Sequence, residues 1–245
     1  GVLFLGLLYF SFQIYCDFSG YSDIAIGTSK LFGFELMSNF RFPYFSRDIG
    51  EFWRRWHISL STWFRDYMYI PLGGSKVSKW LSVRNIFIIF IVSGFWHGAN
   101  WTFIVWGLIH AVLYIPLFIS GSNRRYTTSI VAENSWYPTV KELFQMGITF
   151  LSTMVAWVFF RSDSVIDGFL FILRMNTHFG VPSTNRSGIL FILILVILEW
   201  IMRKDERNPL HFNNKLIRYL LYLSIVITIC LIGNSNNIEF IYFQF

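Results

Sequence analysis

The 245-residue sequence is poor in charge and nearly empty of cysteine. Charged residues make up only 14% of it, too little to coat a soluble domain of this length. The two cysteines, Cys16 and Cys230, both lie in apolar surroundings, which excludes a disulfide framework and a thiolate metal site. Several catalytic signatures are missing as well. Without a G-x-S-x-G elbow there is no serine-hydrolase reading. Without H-E-x-x-H or paired cysteines there is no metal site, and without G-x-x-x-x-G-K-[ST] there is no nucleotide-hydrolysing loop. Internal repeats and low-complexity segments are absent too.

What fills the chain is apolar. Hydrophobic residues make up 54% and aromatics 20%, with 28 phenylalanines and 10 tryptophans. This is the composition of a membrane protein, and the segment lengths agree, since a spanning helix needs about 20 mostly apolar residues. Residues 142–160, 187–202 and 216–232 approach that length. The opening GVLFLGLLYFSFQIYC starts without Met in mid-span and has neither a basic leader nor a small-residue cleavage site, so it reads as the continuation of a longer chain whose first helices are missing, not as a signal peptide. The fold class expected is an all-α, polytopic transmembrane protein.

The formal charge is +6, and its placement matters more than its size. Eight basic residues against three acidic ones lie between Arg41 and Arg84, and five against two between Arg203 and Arg218. Both stretches are expected on the cytoplasmic side, and helix parity allows it. Because this charge borders apolar spans, phospholipid headgroups explain it better than nucleic acid.

Residues 17–50 are too polar and too broken by glycine to span lipid alone, which predicts short buried helices or a re-entrant segment. Residues 51–69 place Trp53, Trp56, Leu60, Trp63, Phe64 and Tyr67 at helical spacing with arginines around them, predicting one amphipathic helix at the interface. Residues 85–95 predict a half-length helix of roughly 16 Å. After it WHGAN interrupts the span, with Asn100 as N-cap of a second helix from Trp101 to about Phe118. The stretches 121–141 and 161–186 read as loops.

His97 therefore falls at a helix break at membrane depth. Burying an imidazole there is costly unless it finds a carbonyl or lines a cavity, and a break at that depth favours the cavity. A neutral histidine can take a proton from a hydroxyl and return it to a leaving group, so acyl transfer is the natural reaction. His57, beside Arg54 and Ser61, is either a second participant or a side chain snorkelling at the interface. His110, roughly 20 Å further along a continuous helix, reads as structural, and His178 and His211 as loop residues. In CDFSGYSD, Asp17, Ser19, Tyr21 and Asp23 either line a polar entrance or serve turns and caps.

Four stretches carry a resemblance: QIYCDFSGYSDIAIG (13–27), FRFPYFSRDIGEFWRRWHISLSTWFRDYMYIPLGGS (40–75), RNIFIIFIVSGFWHGANWTFIVWGLIH (84–110) and FIYFQF (240–245). With these the chain resembles the membrane-bound O-acyltransferase superfamily, in its bacterial alginate and polysaccharide O-acetyltransferase branch. The resemblance implies a helix ring with re-entrant and interfacial helices, of which residues 1–245 form the C-terminal portion of a single transmembrane domain. It implies catalytic roles for His97 and His57, with Trp96, Asn100, Asp17 and Ser19 as substrate-binding candidates and no metal. The implied acyl donor is acetyl-CoA from the cytoplasm of a bacterial cell, with no bound cofactor. The implied partners are membrane lipid, a periplasmic or surface O-acetyltransferase protein and a polysaccharide acceptor. Two rivals remain: a non-catalytic conduit for the acetyl donor, and the D-alanyl transfer branch of the same superfamily.

Overall fold

In the computed structural model, described over residues 1–177, 180, 186–205 and 214–232, every regular element is helical. The helices are α1 (Val2–Leu31), α2 (Ile49–Arg55), α3 (Ile58–Phe64), α4 (Lys79–His97), α5 (Trp101–Ile119), α6 (Val140–Arg161), α7 (Val165–Thr177), α8 (Ser187–Met202) and α9 (Lys215–Ile232). Four of them, α1, α4, α5 and α6, are long and apolar enough to cross a membrane, and α8 is a shorter apolar helix. The chain is an all-α multi-pass membrane protein. Residues 240–245, His178 and His211 lie outside the described residues.

Several local expectations are corrected. The helix opening the chain does not stop at Asp17 but runs 30 residues to Leu31. Gly20 and Gly27 each weaken a helix by about 1 kcal/mol relative to alanine. The polar side chains nevertheless fold back onto the helix, as when the Ser29 hydroxyl donates to the Ile26 carbonyl at 2.9 Å, so they need no alternative structure. The half-length helix is a full one. Ser78 caps it by accepting from the Leu81 N–H, and its 19 residues reach roughly 28 Å. The WHGAN break is thus a hairpin turn at the far end of α4, not an interruption halfway along it. Residues 165–177, expected as loop, form α7.

The predicted amphipathic helix over 51–69 is broken in two at His57, whose backbone is left-handed (φ 44°, ψ 55°). An extended segment supplies the partners that the break requires. The Ile58 N–H donates to the Asn39 carbonyl at 3.0 Å, and the Arg41 N–H to the Arg55 carbonyl at 3.0 Å. The Ser59 N–H donates to the Asn39 side chain at 3.2 Å. The break lets Phe52 and Trp56 enter the core, where they are 1% and 2% exposed, against aromatic residues of α1, α5 and α6. Instead of lying on the surface, α2 is embedded.

A buried ion network anchors α2. Glu51, fully buried, holds Arg47 at 3.0 Å and Arg55 at 2.8 Å, while Arg47 also donates to the Ser129 carbonyl at 2.8 Å. Burying such charges is tolerated because every one is paired and hydrogen-bonded. On the other side, α4 and α5 run antiparallel in close contact. An added Cβ on Gly94 would sit 2.3 Å from the Phe103 carbonyl oxygen, and one on Gly107 2.2 Å from that of Phe90. Glycine at these two points lets the backbones meet.

Candidate functional site

The hairpin between α4 and α5 brings His97 and His57 to the same place. Asn100 caps α5 by accepting from the Thr102 N–H at 3.2 Å, as its position predicted, and its amide donates to the Asp163 carbonyl at 3.1 Å. Both ends of its side chain hold the turn. His97, the last residue of α4, is half-buried; its ring meets Trp106 at 5.1 Å and Phe160 at 5.2 Å, both edge-on.

His57 approaches from the α2–α3 break. Its ring lies 4.6 Å from Phe18 and 6.2 Å from Trp96, and Trp96 lies 5.0 Å from His97. One indole thus stands between two imidazoles that come from separate parts of the fold. His57 is 7% exposed, and its Nδ1 has no hydrogen-bond partner among the described residues. Burial pushes its pKa down to about 4, so the ring is neutral at physiological pH. A left-handed, non-glycine residue with an unpartnered ring nitrogen is a strained arrangement held by its surroundings, and such strain gathers at functional sites.

Asp17 and Ser19 flank Phe18, the α1 residue that touches His57, and both are half-buried; the Ser19 hydroxyl reaches the Cys16 carbonyl at 3.5 Å. Trp96 is 55% exposed. Trp96 and Asn100 thus flank His97 along the chain, and Asp17 and Ser19 flank the α1 residue that touches His57. Among the described residues, no cluster of three or more histidine, cysteine or carboxylate groups is arranged for a metal ion.

A cavity of about 810 Å³ is lined by Ile58 and Ser93, close along the chain to the two histidines, and not by the imidazoles themselves; its volume is within the range of small-molecule sites. Ser93, one helical turn before His97 on the same face of α4, lines its inner end, and Gly121 and Arg124, past the end of α5, line the other. Arg41, Arg54, Arg65 and Arg124 all border it, while Ile86, Ile89 and Phe90 give it an apolar wall. The Arg54 guanidinium is oriented by the Asn123 carbonyl at 2.8 Å. Sequence reading missed this cavity because its arginines come from three separate stretches, Arg41, Arg54 with Arg65, and Arg124; the arginines of 51–69 were the one local hint.

His110 is also displaced from its expected place. Because α5 folds back along α4, its ring is near His97, not roughly 20 Å away: both touch Trp106, at 5.0 Å and 5.1 Å. It is fully buried.

Residues 2–118 match the model of the MBOAT, membrane-bound O-acyltransferase family. The chain is 44% identical over 220 residues to the probable alginate O-acetylase AlgI of Pseudomonas aeruginosa, covering 86% of this chain and 40% of that protein. It is 43% identical over 158 residues to the peptidoglycan O-acetyltransferase of Helicobacter pylori, covering 64% of this chain and 28% of the relative. To the teichoic acid D-alanyltransferase of Streptococcus thermophilus it is 34% identical over 172 residues, covering 64% and 40%. The chain thus spans well under half the length of these relatives.

Proposed function

Since the chain belongs to the membrane-bound O-acyltransferase family, in its alginate and polysaccharide branch, we propose that it forms the catalytic part of a bacterial plasma-membrane O-acetyltransferase serving an exported polysaccharide. One observation carries the reading: an arginine-bordered cavity is lined by Ser93, one helical turn from His97, and by Ile58, next to His57, and those two imidazoles flank Trp96. The donor that suits such a cavity is a thioester on a polyanionic handle, acetyl-CoA. Its phosphates would meet Arg41, Arg65 and Arg124, its pantetheine arm the apolar wall, and its thioester the region of Ser93.

In the proposed reaction, neutral His97 takes the proton of an acceptor hydroxyl arriving from the opposite side, and the oxygen attacks the acetyl carbonyl carbon. The carbon–sulfur bond breaks, and the imidazolium returns its proton to the thiolate. His57 assists across Trp96, and Asp17 and Ser19 border the acceptor approach. Asn100 serves by fixing the turn that presents His97. The acceptor is a polysaccharide, or a periplasmic or surface partner protein that passes the group on. A D-alanyl thioester is the second reading, favoured by the likeness to the streptococcal D-alanyltransferase.

Membranes holding the complete protein, supplied with acetyl-labelled acetyl-CoA, test the proposal. His97→Ala is expected to cut acetyl transfer by at least a hundredfold, within the range contributed by general acid–base catalysis, while the variant accumulates normally. Full activity of that variant defeats the proposal, and label transfer from a D-alanyl carrier alone favours the second reading.

A further inference from the structure

Beside the imidazole pair lies a second group of polar atoms that the reaction above does not use. His110 is fully buried, and neither ring nitrogen has a hydrogen-bond partner among the described residues. The same holds for the indole N–H groups of Trp53, Trp106 and Trp157. These are one cluster: the His110 ring lies 4.9 Å from Trp53, 5.0 Å from Trp106 and 6.5 Å from Trp157. Three helices build it. α5 carries Trp106 and His110 one turn apart on a single face, α2 supplies Trp53, and α6 supplies Trp157.

A buried polar group without a partner destabilises a fold, whereas an apolar ring of the same shape would fill the space without that penalty. Phenylalanine already performs that packing on two sides of His110, through Phe52 at 6.1 Å and Phe90 at 6.2 Å. Four polar rings in one apolar cluster need an acceptor that this part of the chain does not supply. The cluster also occupies a telling position. Trp53 and Phe90 line the basic cavity on one side of it, and Trp106 joins it to His97 on the other.

We propose that His110, Trp53, Trp106 and Trp157 form a buried site for an oxygen acceptor, entered from the basic cavity past Trp53 and Phe90. The indoles donate, and neutral His110 both donates and accepts. The occupant is an oxygen that arrives only with the donor: the carbonyl of the acyl group itself, or a water that the bound donor admits. The inference rests on the acyltransferase reading for its kinetic test and stands apart from it for its stability test.

The test uses the complete protein, purified in detergent, with His110→Phe, His110→Leu and His110→Gln. In the absence of any donor, His110→Phe is expected to match or exceed the wild-type Tm, because an unpartnered imidazole has been removed. A lowered Tm in both His110→Phe and His110→Leu assigns the ring a structural partner and overturns the proposal. With acetyl-CoA, His110→Phe is expected to lose at least tenfold in kcat/KM, and His110→Gln, which keeps a donor and an acceptor, to recover most of it. A raised KM for acetyl-CoA with an unchanged Ki for free CoA identifies the acyl carbonyl. A reduced kcat at constant KM, with an altered solvent deuterium isotope effect, identifies the water. His110→Phe within twofold of wild type makes the ring mere packing. Wild-type protein that leaves acetyl-CoA unconsumed counts against the donor reading alone, and the Tm comparison then decides the site.

Discussion

His57 is costly to the fold on two counts. Its left-handed backbone (φ 44°) costs a non-glycine residue about 1–2 kcal/mol, and its buried ring resists protonation. His57→Gly relieves the backbone strain but empties a packed site, so it is expected to lower the Tm less than His57→Ala, which keeps the strain, while acetyl transfer falls in both. Differential scanning fluorimetry beside a transfer assay checks it. The pH dependence follows from burial. The folded pKa, about 4, lies below the 6.5 of the free side chain, so below pH 6.5 the unfolded chain binds a proton that the folded chain refuses. This contribution is fully present above pH 6.5 and is lost as pH falls towards 4, at up to about 1.4 kcal/mol per unit and about 3 kcal/mol in all. The stability of wild type relative to His57→Gln, which carries no titrating ring, is expected to fall between pH 7 and pH 4.5 in paired unfolding curves. Of the two motif histidines, the sequence marked both, but the strained backbone was invisible because it depends on Asn39, 18 positions away.

At the scale of elements, the α4–α5 hairpin fixes where His97 stands. Gly94 and Gly107 each face the backbone of the opposite helix, where no side chain can swing aside. Gly107→Ala is expected to force the helices apart, costing about 1–3 kcal/mol and lowering transfer by displacing the end of α4. Gly6→Ala is the contrasting case. Nothing lies within 4 Å of the added atom, so it is expected to stabilise α1 by up to about 1 kcal/mol. Thermal melts of both variants in detergent separate the two effects. Helices α5, α6, α8 and α9 were legible from apolar length and from caps such as Asn100. The true start of α4 was not, because Lys79–Arg84 mixes two charged residues and a serine with Trp80, Leu81 and Val83, and only the Ser78 cap announces it. The single helix expected over 51–69 failed for another reason. Its spacing is helical throughout, yet burying Phe52 and Trp56 against α1, α5 and α6 outweighs one uninterrupted run of local hydrogen bonds.

At the scale of the molecule, the cavity gathers Arg41, Arg54, Arg65 and Arg124 around one space. If it receives a phosphate-bearing donor, Arg124→Glu is expected to raise the KM for acetyl-CoA about tenfold at low salt with kcat within twofold, and the difference should shrink as ionic strength rises. Steady-state kinetics at 20 and 300 mM salt check it. Composition alone determined that this is a helical membrane protein, because so little charge and so much aromatic surface leave lipid as the only tolerable solvent. Local motifs determined which histidines are candidates, His97 because a polar residue in an apolar span stands out by contrast and His57 by its place in the motif over 40–75. Only the tertiary structure decided what those residues face: Trp96 between His57 and His97, His110 among three unpartnered indoles, and arginines from distant stretches around one cavity. Periodicity records which face of a helix is oily, but the partner that covers that face is chosen by long-range packing.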